Sequence, residues 1–356
     1  MAIFEYNGMT SAGRLTKNIS ACFIVLFLTA VPVGARRSSD GLVELTIYPA
    51  KAGELEKKYQ LMVKAEDQID ADAVPLYEKA VKSIPKDFNQ EQIVEWLKLP
   101  VEQLPQQQAE EALQKYLEPL KLAVRATRCK ECNWPEWKPG DQPVELNKYR
   151  KLVYILELWA RLEISRGGYE GAAIAMRTAF VTARDLWQAP TIIQALVGAA
   201  VGGVMCRELD QYVQRRDSPN LYTALADMPR PLVDVEKAIE NEKKFSLESA
   251  PNELIREQIA KQIASSYDRM RLISKRLDNT LNGLQCVEAI RHYAATHDGQ
   301  LPENLSDISQ IEVPKDVVSG KAFEYRRTSS GATLQSTIPK GGKERDAVHY
   351  EIILKK

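Results

Sequence analysis

"LNKYRKLVYILELWARLEISRGGYEGAAIAMRTAFVTARDLWQAPTIIQALVGAAVGGVMCRELDQYV" (146–213) sets the architecture. Apolar residues return every three or four positions through it. Two breaks divide it, at Gly167-Gly168 and at Ala189-Pro190, where a proline suits a first helical turn. Three consecutive helices are predicted. In the middle one Tyr169, Ala173, Met176, Ala179, Phe180 and Ala183 make a small-residue face suited to close helix packing. The last begins "APTIIQALVGAAVGGVMC" (189–206), a run free of charge in which Gly198-x-x-x-Gly202 has the spacing of membrane helix contacts. Thr191 and Gln194 are polar, however, and alanine and glycine supply little apolar area. A central helix buried by its neighbours is the preferred reading, and a membrane span the alternative.

On the N-terminal side, "LVELTIYP" (42–49) reads as a strand and 51–125 as helical. "DADAVPLYEKAVKSIPKD" (70–87) carries Ala73, Leu76, Tyr77, Ala80, Val81 and Ile84 at helical spacing and closes at Pro85. "QAEEALQKYLEPLKLAVRAT" (108–127) is predicted as one helix, and the tryptophan- and proline-rich 128–143 as a loop. On the C-terminal side, a connector with a proline turn at 229–231 leads to 251–298, a long helix with a break expected near Asn279, Asn282 and Gly283. Past Gly299 the period falls to two: 321–327, 332–337 and 347–356 predict a three-stranded antiparallel meander laid on that helix.

The expected fold is therefore mainly α, a helical-repeat-like array with a small C-terminal α+β domain of long helix and three-stranded sheet. Its segments are 1–35, 36–127, 128–143, 144–250, 251–298 and 299–356. The first is a predicted signal peptide: Arg14 and Lys17 precede "ISACFIVLFLTAVPVGA" (19–35), and Val33 and Ala35 suit the −3 and −1 positions of a cleavage site. Its apolar part, about 15 residues or ~22 Å as helix, is short for a ~30 Å hydrocarbon core, so an uncleaved anchor is the second choice. An exported protein of the periplasm or cell envelope follows. The 356-residue chain is 44% hydrophobic and has 48 basic against 48 acidic side chains, so no global field draws it to nucleic acid or anionic lipid.

Three resemblances bear on this outline. "LYEKAVKSIP" (76–85) is similar to the second helix of a tetratricopeptide repeat, and the 146–213 helices resemble the paired helices of α-solenoids. "AIRHYAATHDGQLPENLSDI" (289–308) with "VPKDVVSGKAFEYR" (313–326) resembles the soluble head of type II secretion pseudopilins. Tyr293, Gly299, Pro302, Leu305, Pro314, Asp316, Gly320, Phe323 and Tyr325 stand at that pattern's positions. The resemblance implies a small α/β head. The N-terminal processing pattern of the family is absent, and a long stretch of helical material precedes the head. As a whole the chain looks like uncharacterised exported proteins of planctomycete-type bacteria.

"RCKECNWPEW" (128–137) is the most chemically suggestive stretch. Cys129 and Cys132 have a spacing shared by zinc sites and thiol exchangers, but zinc needs two more ligands and His292, His297 and His349 are distant. A thiol exchanger wants its first cysteine at a helix N-terminus, whereas Cys129 follows a helix end. Asn133 stands where haem attachment needs histidine. A local Cys129–Cys132 disulfide is the leading reading, with free thiols or pairing to Cys206 or Cys286 open. Trp134 and Trp137 cap the gap between helical blocks or, alternatively, form a binding surface. Glu236, Glu240 and Glu242 read as a solvated acidic face, and Asp316 and Asp346 as turn aspartates rather than a calcium site. With no GxSxG, GxGxxG, Walker loop or HExxH, no catalytic residue, metal or cofactor is assigned. A non-catalytic interaction scaffold for other envelope proteins is expected. A secretion or pilus-like component and a thiol-redox or envelope enzyme are the alternatives.

Overall fold

The protein is described by a computed structural model over residues 41–53, 57–135, 146–236, 238–240, 243 and 253–356. The leader and Trp137 lie outside these residues. The chain is mainly α-helical, with a smaller C-terminal region containing a mixed four-stranded sheet and a long helix.

Strand β1 (Val43–Ile47) opens the described chain, and β2 (Ile69–Asp72) runs directly into helix α1 (Ala73–Lys82). The 70–87 stretch thus begins as strand. Asp72 makes the switch, because its carboxylate accepts from the Val74 N–H at 3.0 Å and satisfies a donor in the first turn. Asn89 caps α2 (Gln90–Lys98) in the same way. The 108–127 stretch is two helices, α3 (Gln106–Gln114) and α4 (Leu117–Ala126), which turn at Lys115-Tyr116 so that α4 can pack on α1. Part of the expected 128–143 loop is a strand, β3 (Cys129–Glu131), paired in parallel with β2.

The three predicted helices are present as α5 (Leu146–Ser165), α6 (Tyr169–Trp187) and α7 (Ile192–Val213), each touching the other two. Pro190 lies before the Thr191 N-cap of α7 rather than inside its first turn. The glycine pair of α7 serves packing within the protein. A Cβ at Gly198 would sit 2.6 Å from the Ala183 carbonyl of α6, and one at Gly202 would sit 2.8 Å from Leu277. Among the described residues no helix is long and apolar enough to cross a membrane.

A short helix α8 (Tyr222–Ala226) precedes the long helix α9 (Glu253–Thr296). The expected break in α9 does not occur, and the residues that suggested it each have a partner. The Asn279 amide oxygen accepts from Val317 N–H at 3.0 Å, and Asn282 donates to the Lys315 carbonyl while accepting from Arg230. Gly283 lets the sheet approach, since a Cβ there would lie 3.0 Å from Val348 and 3.3 Å from Tyr350. Polar and glycine positions that weaken an isolated helix are here its contacts with the sheet region.

That sheet has the order β1-β6-β5-β4, with β4 (Glu324–Arg327), β5 (Ala332–Gln335) and β6 (His349–Leu354) forming the antiparallel meander. Its fourth member is an addition to the expected three strands. β1 pairs in parallel with β6, Val43 opposite Tyr350 and Ile47 opposite Leu354, so the two ends of the described chain lie side by side. Val43, Leu45 and Ile47 point to the core, and the β1 edge is partly closed by Gln214, which accepts from Thr46 N–H. Arg291, fully buried on α9, fixes the exit of β1. It donates to the Tyr48 carbonyl, to both Glu288 carboxylate oxygens and to the carbonyl and hydroxyl of Ser218.

Candidate functional site

An open groove of about 430 Å³ lies between α3, α4, α5 and α6. It follows from two apolar stripes. Leu113 of α3 and Leu117, Leu120 and Val124 of α4 recur every three or four residues, and Trp159 and Leu162 of α5 face them, with Ile174 of α6 closing the end. The floor residues Leu113, Leu120 and Leu162 are buried, whereas Trp159, Val124 and Ile174 are half-buried and Leu117 is 42% exposed at the lip. One side carries an ion cluster in which Arg166 pairs with Glu163 and, at 3.3 Å, with Glu110. Gln106 donates to the Ser165 carbonyl and holds α3 against α5. An apolar floor with a polar rim, built on four helices, suits the apolar face of another chain. Among the described residues two other large hydrophobics are exposed, Val317 and Ile338, and neither lines the groove.

The cysteine stretch lies elsewhere, against the C-terminal end of α6. Cys129 and Cys132 are free thiols that approach backbone carbonyls, of Arg125 at 3.7 Å and of Asp185 at 3.8 Å. The expected Cys129–Cys132 bridge is not present here: both cysteines are free, Cys129 at the start of β3 and Cys132 just past its end. Burial, and then the carboxylates of Asp185 and Asp72, push the Cys132 thiol far above its ordinary value, so it is held as a thiol and not as the reactive thiolate. Trp134 packs on Tyr149 and donates its indole N–H to the Asp185 carbonyl at 2.7 Å. Asp185 itself is buried, accepts from the Tyr77 hydroxyl at 2.8 Å and pairs with Arg184. Trp134 is thereby tied to α5 through Tyr149 and to α6 through Asp185.

The head-motif residues are arranged around the end of α9. Gly299, with φ +70°, closes the helix by donating to Ala294, and Tyr293 stacks on His297 at 3.8 Å. The Tyr325 hydroxyl donates to the Pro302 carbonyl, while Leu305 and Phe323 are buried. Pro314 is half-buried ahead of Asp316, whose carboxylate accepts from Val318 N–H, the Ser319 hydroxyl and Thr337 N–H. Gly320, at φ +68°, returns its N–H to the Asp316 carbonyl. Burial acts to raise the Asp316 carboxyl, but these donors outweigh it and hold it below the usual range. Asp346 caps Lys343 and pairs with Arg276, so both aspartates serve turns. Among the described residues no group of three or more His, Cys, Asp or Glu side chains is placed to hold a metal ion.

Of the remaining candidates, Glu236 pairs with exposed Arg271, Glu240 is exposed, and Glu242 lies outside the described residues. His292 accepts from Ala52 N–H and hydrogen-bonds Gln310, joining α9 to two loops. Sequence reasoning missed the fully buried pairs Arg161–Glu208 and Arg291–Glu288. The signal was present: Glu157, Arg161 and Glu288 are charges flanked by the apolar positions of their own helices. The chain matches no protein-family model, no curated protein sequence and no solved structure.

Proposed function

We propose that the protein is a non-catalytic interaction scaffold of the cell envelope, exported by its N-terminal leader, whose helices stack in repeat-like fashion and present the α3–α6 groove to other envelope proteins. The groove carries this reading, because a half-buried tryptophan and an exposed leucine lie over an apolar floor where the side chains of another chain would displace water. The buried ionisable groups favour it too: Arg161, Glu208, Arg291, Glu288 and Asp185 pair inside the core instead of converging on a cleft. The chain would not engage nucleic acid, and only an uncleaved leader would touch the membrane.

A test compares two substitutions of exposed apolar residues in the full chain. Leu117→Glu places a charge at the groove lip, and Ile338→Glu places one on the head. Recovery of bound partner from the native envelope fraction should fall at least tenfold for Leu117→Glu and stay unchanged for Ile338→Glu. Equal recovery for both would defeat the groove as the binding surface.

A second reading, a secretion or pilus-like component, is favoured by one observation. The Tyr325–Pro302 bond joins two positions of the pseudopilin-like pattern across the head. The parallel β1 strand, recruited from the other end of the chain, is a departure from that pattern. A thiol-redox enzyme is disfavoured by the raised thiols of buried Cys129 and half-buried Cys132.

A further inference from the structure

Helices α5 and α7 enclose four charged side chains whose pairing is uneven. Arg161 and Glu208 satisfy one another at 2.6 Å, and Arg161 also donates to the carbonyls of Leu97 and Leu99. Glu157, one turn earlier on α5, is only 2% exposed, and the Arg161 donors are directed away from it. Its Oε1 has no hydrogen-bond partner, and the nearest cation, Arg207 of α7, stands off at 3.9 Å with its own Nε unpaired. Arg207 instead reaches the Gly203 carbonyl at the 3.5 Å limit of a hydrogen bond. An ionised carboxylate so deeply buried with an unpaired oxygen is costly, and a neutral carboxyl there is much less so.

We propose that Glu157 is a proton sensor: protonated, it leaves Arg207 loosely opposed, and ionised, it draws the Arg207 guanidinium into a direct bond and tightens α7 against α5. The charged groups that face it are Arg207 and Glu208 of α7 and Arg161 of its own helix. Burial is the largest influence on its carboxyl, Arg207 opposes it and Glu208 reinforces it, and the result is pushed up to about 7. The transition then falls near neutral pH. Closing the 3.9 Å contact to hydrogen-bond distance needs only a rotamer change of Arg207 and a small shift of α7, both within reach of packed helices.

The direction of the linkage is fixed. A carboxyl raised in the folded state from 4.5 to about 7 contributes stability that is complete below the unfolded value and lost as pH rises through the folded one. The folding equilibrium should therefore weaken by on the order of a hundredfold between pH 4.5 and 7.5 through this group alone. The test measures unfolding of the full chain by urea at half-unit steps from pH 5 to 8, beside hydrogen exchange of α7 at the same pH values. Wild type should lose stability across the window and show a change in α7 exchange with a midpoint near 7. Glu157→Gln should flatten both, and Arg207→Gln should move the midpoint upward because the stabilising cation is gone. Parallel profiles for wild type and Glu157→Gln would overturn the proposal. An unmoved midpoint in Arg207→Gln would overturn the role given to that pair.

Discussion

Replacing Arg291 by methionine should be among the most damaging single changes in the protein. The guanidinium is fully buried, its partner Glu288 is fully buried, and its donors reach the Tyr48 carbonyl, both Glu288 oxygens and two oxygens of Ser218. Methionine fills much of the volume, so the loss is electrostatic and not a cavity. Breaking one side of a buried ion pair costs about 3–5 kcal/mol because the remaining charge has no compensation. The abandoned Tyr48 and Ser218 carbonyls each add up to about 1–3 kcal/mol, though these terms overlap and do not sum. Against a total stability of about 5–15 kcal/mol, the variant keeps little reserve. Burial already raises the Glu288 carboxyl and Arg291 opposes that rise, so the variant should recover part of its loss at acidic pH, where Glu288 takes up a proton. Urea unfolding followed by tryptophan fluorescence reads these values. The double variant Arg291→Met/Glu288→Leu should be more stable than Arg291→Met alone, since no charge is then stranded. A single-variant cost under about 1 kcal/mol, or a double variant worse than the single, would refute the assignment of this pair as the clamp on β1.

Other consequences can be checked together. Gly198→Ala should destabilise by more than about 1 kcal/mol, because its Cβ would meet the Ala183 carbonyl at 2.6 Å, whereas Gly203→Ala, with open space around it, should stabilise by about 0.5–1 kcal/mol in thermal unfolding. Asp316 contributes stability above its unfolded value that is lost as pH falls through the lower folded one, so acid unfolding below about pH 4 should be less steep in Asp316→Asn than in wild type. Alkylation of Cys129 and Cys132 at pH 8 should be slow in the folded chain and rise at least tenfold in urea, as intact mass would record.

The helices of 146–213 were legible because their apolar period is strong and glycine and proline mark the breaks. The C-terminal strands were legible from their period of two. The parallel place of β1 beside β6 was not, since a short alternating strand carries no label for a partner at the opposite end of the chain. The false break in α9 has the same origin. Asn279, Asn282 and Gly283 lower helix propensity, but their contacts with Lys315, Val317, Val348 and Tyr350 outweigh that local cost. Spacing alone does not reveal that Cys129 opens a strand, or that the two thiols approach the carbonyls of different helices. In the groove, Leu117 and Trp159 read as ordinary members of apolar stripes. The turn at Lys115-Tyr116, which divides one expected helix into two, is followed at once by Leu117, which is left 42% exposed.

Whether the α3–α6 groove receives another protein chain, as proposed, is best decided by site-specific photo-crosslinking in the native cell. A photoreactive residue at position 117 should yield a discrete crosslinked species, and the same residue at position 338, similarly exposed on the head, should not. Crosslinks absent at 117, or alike at both positions, would rule out the groove as the docking surface.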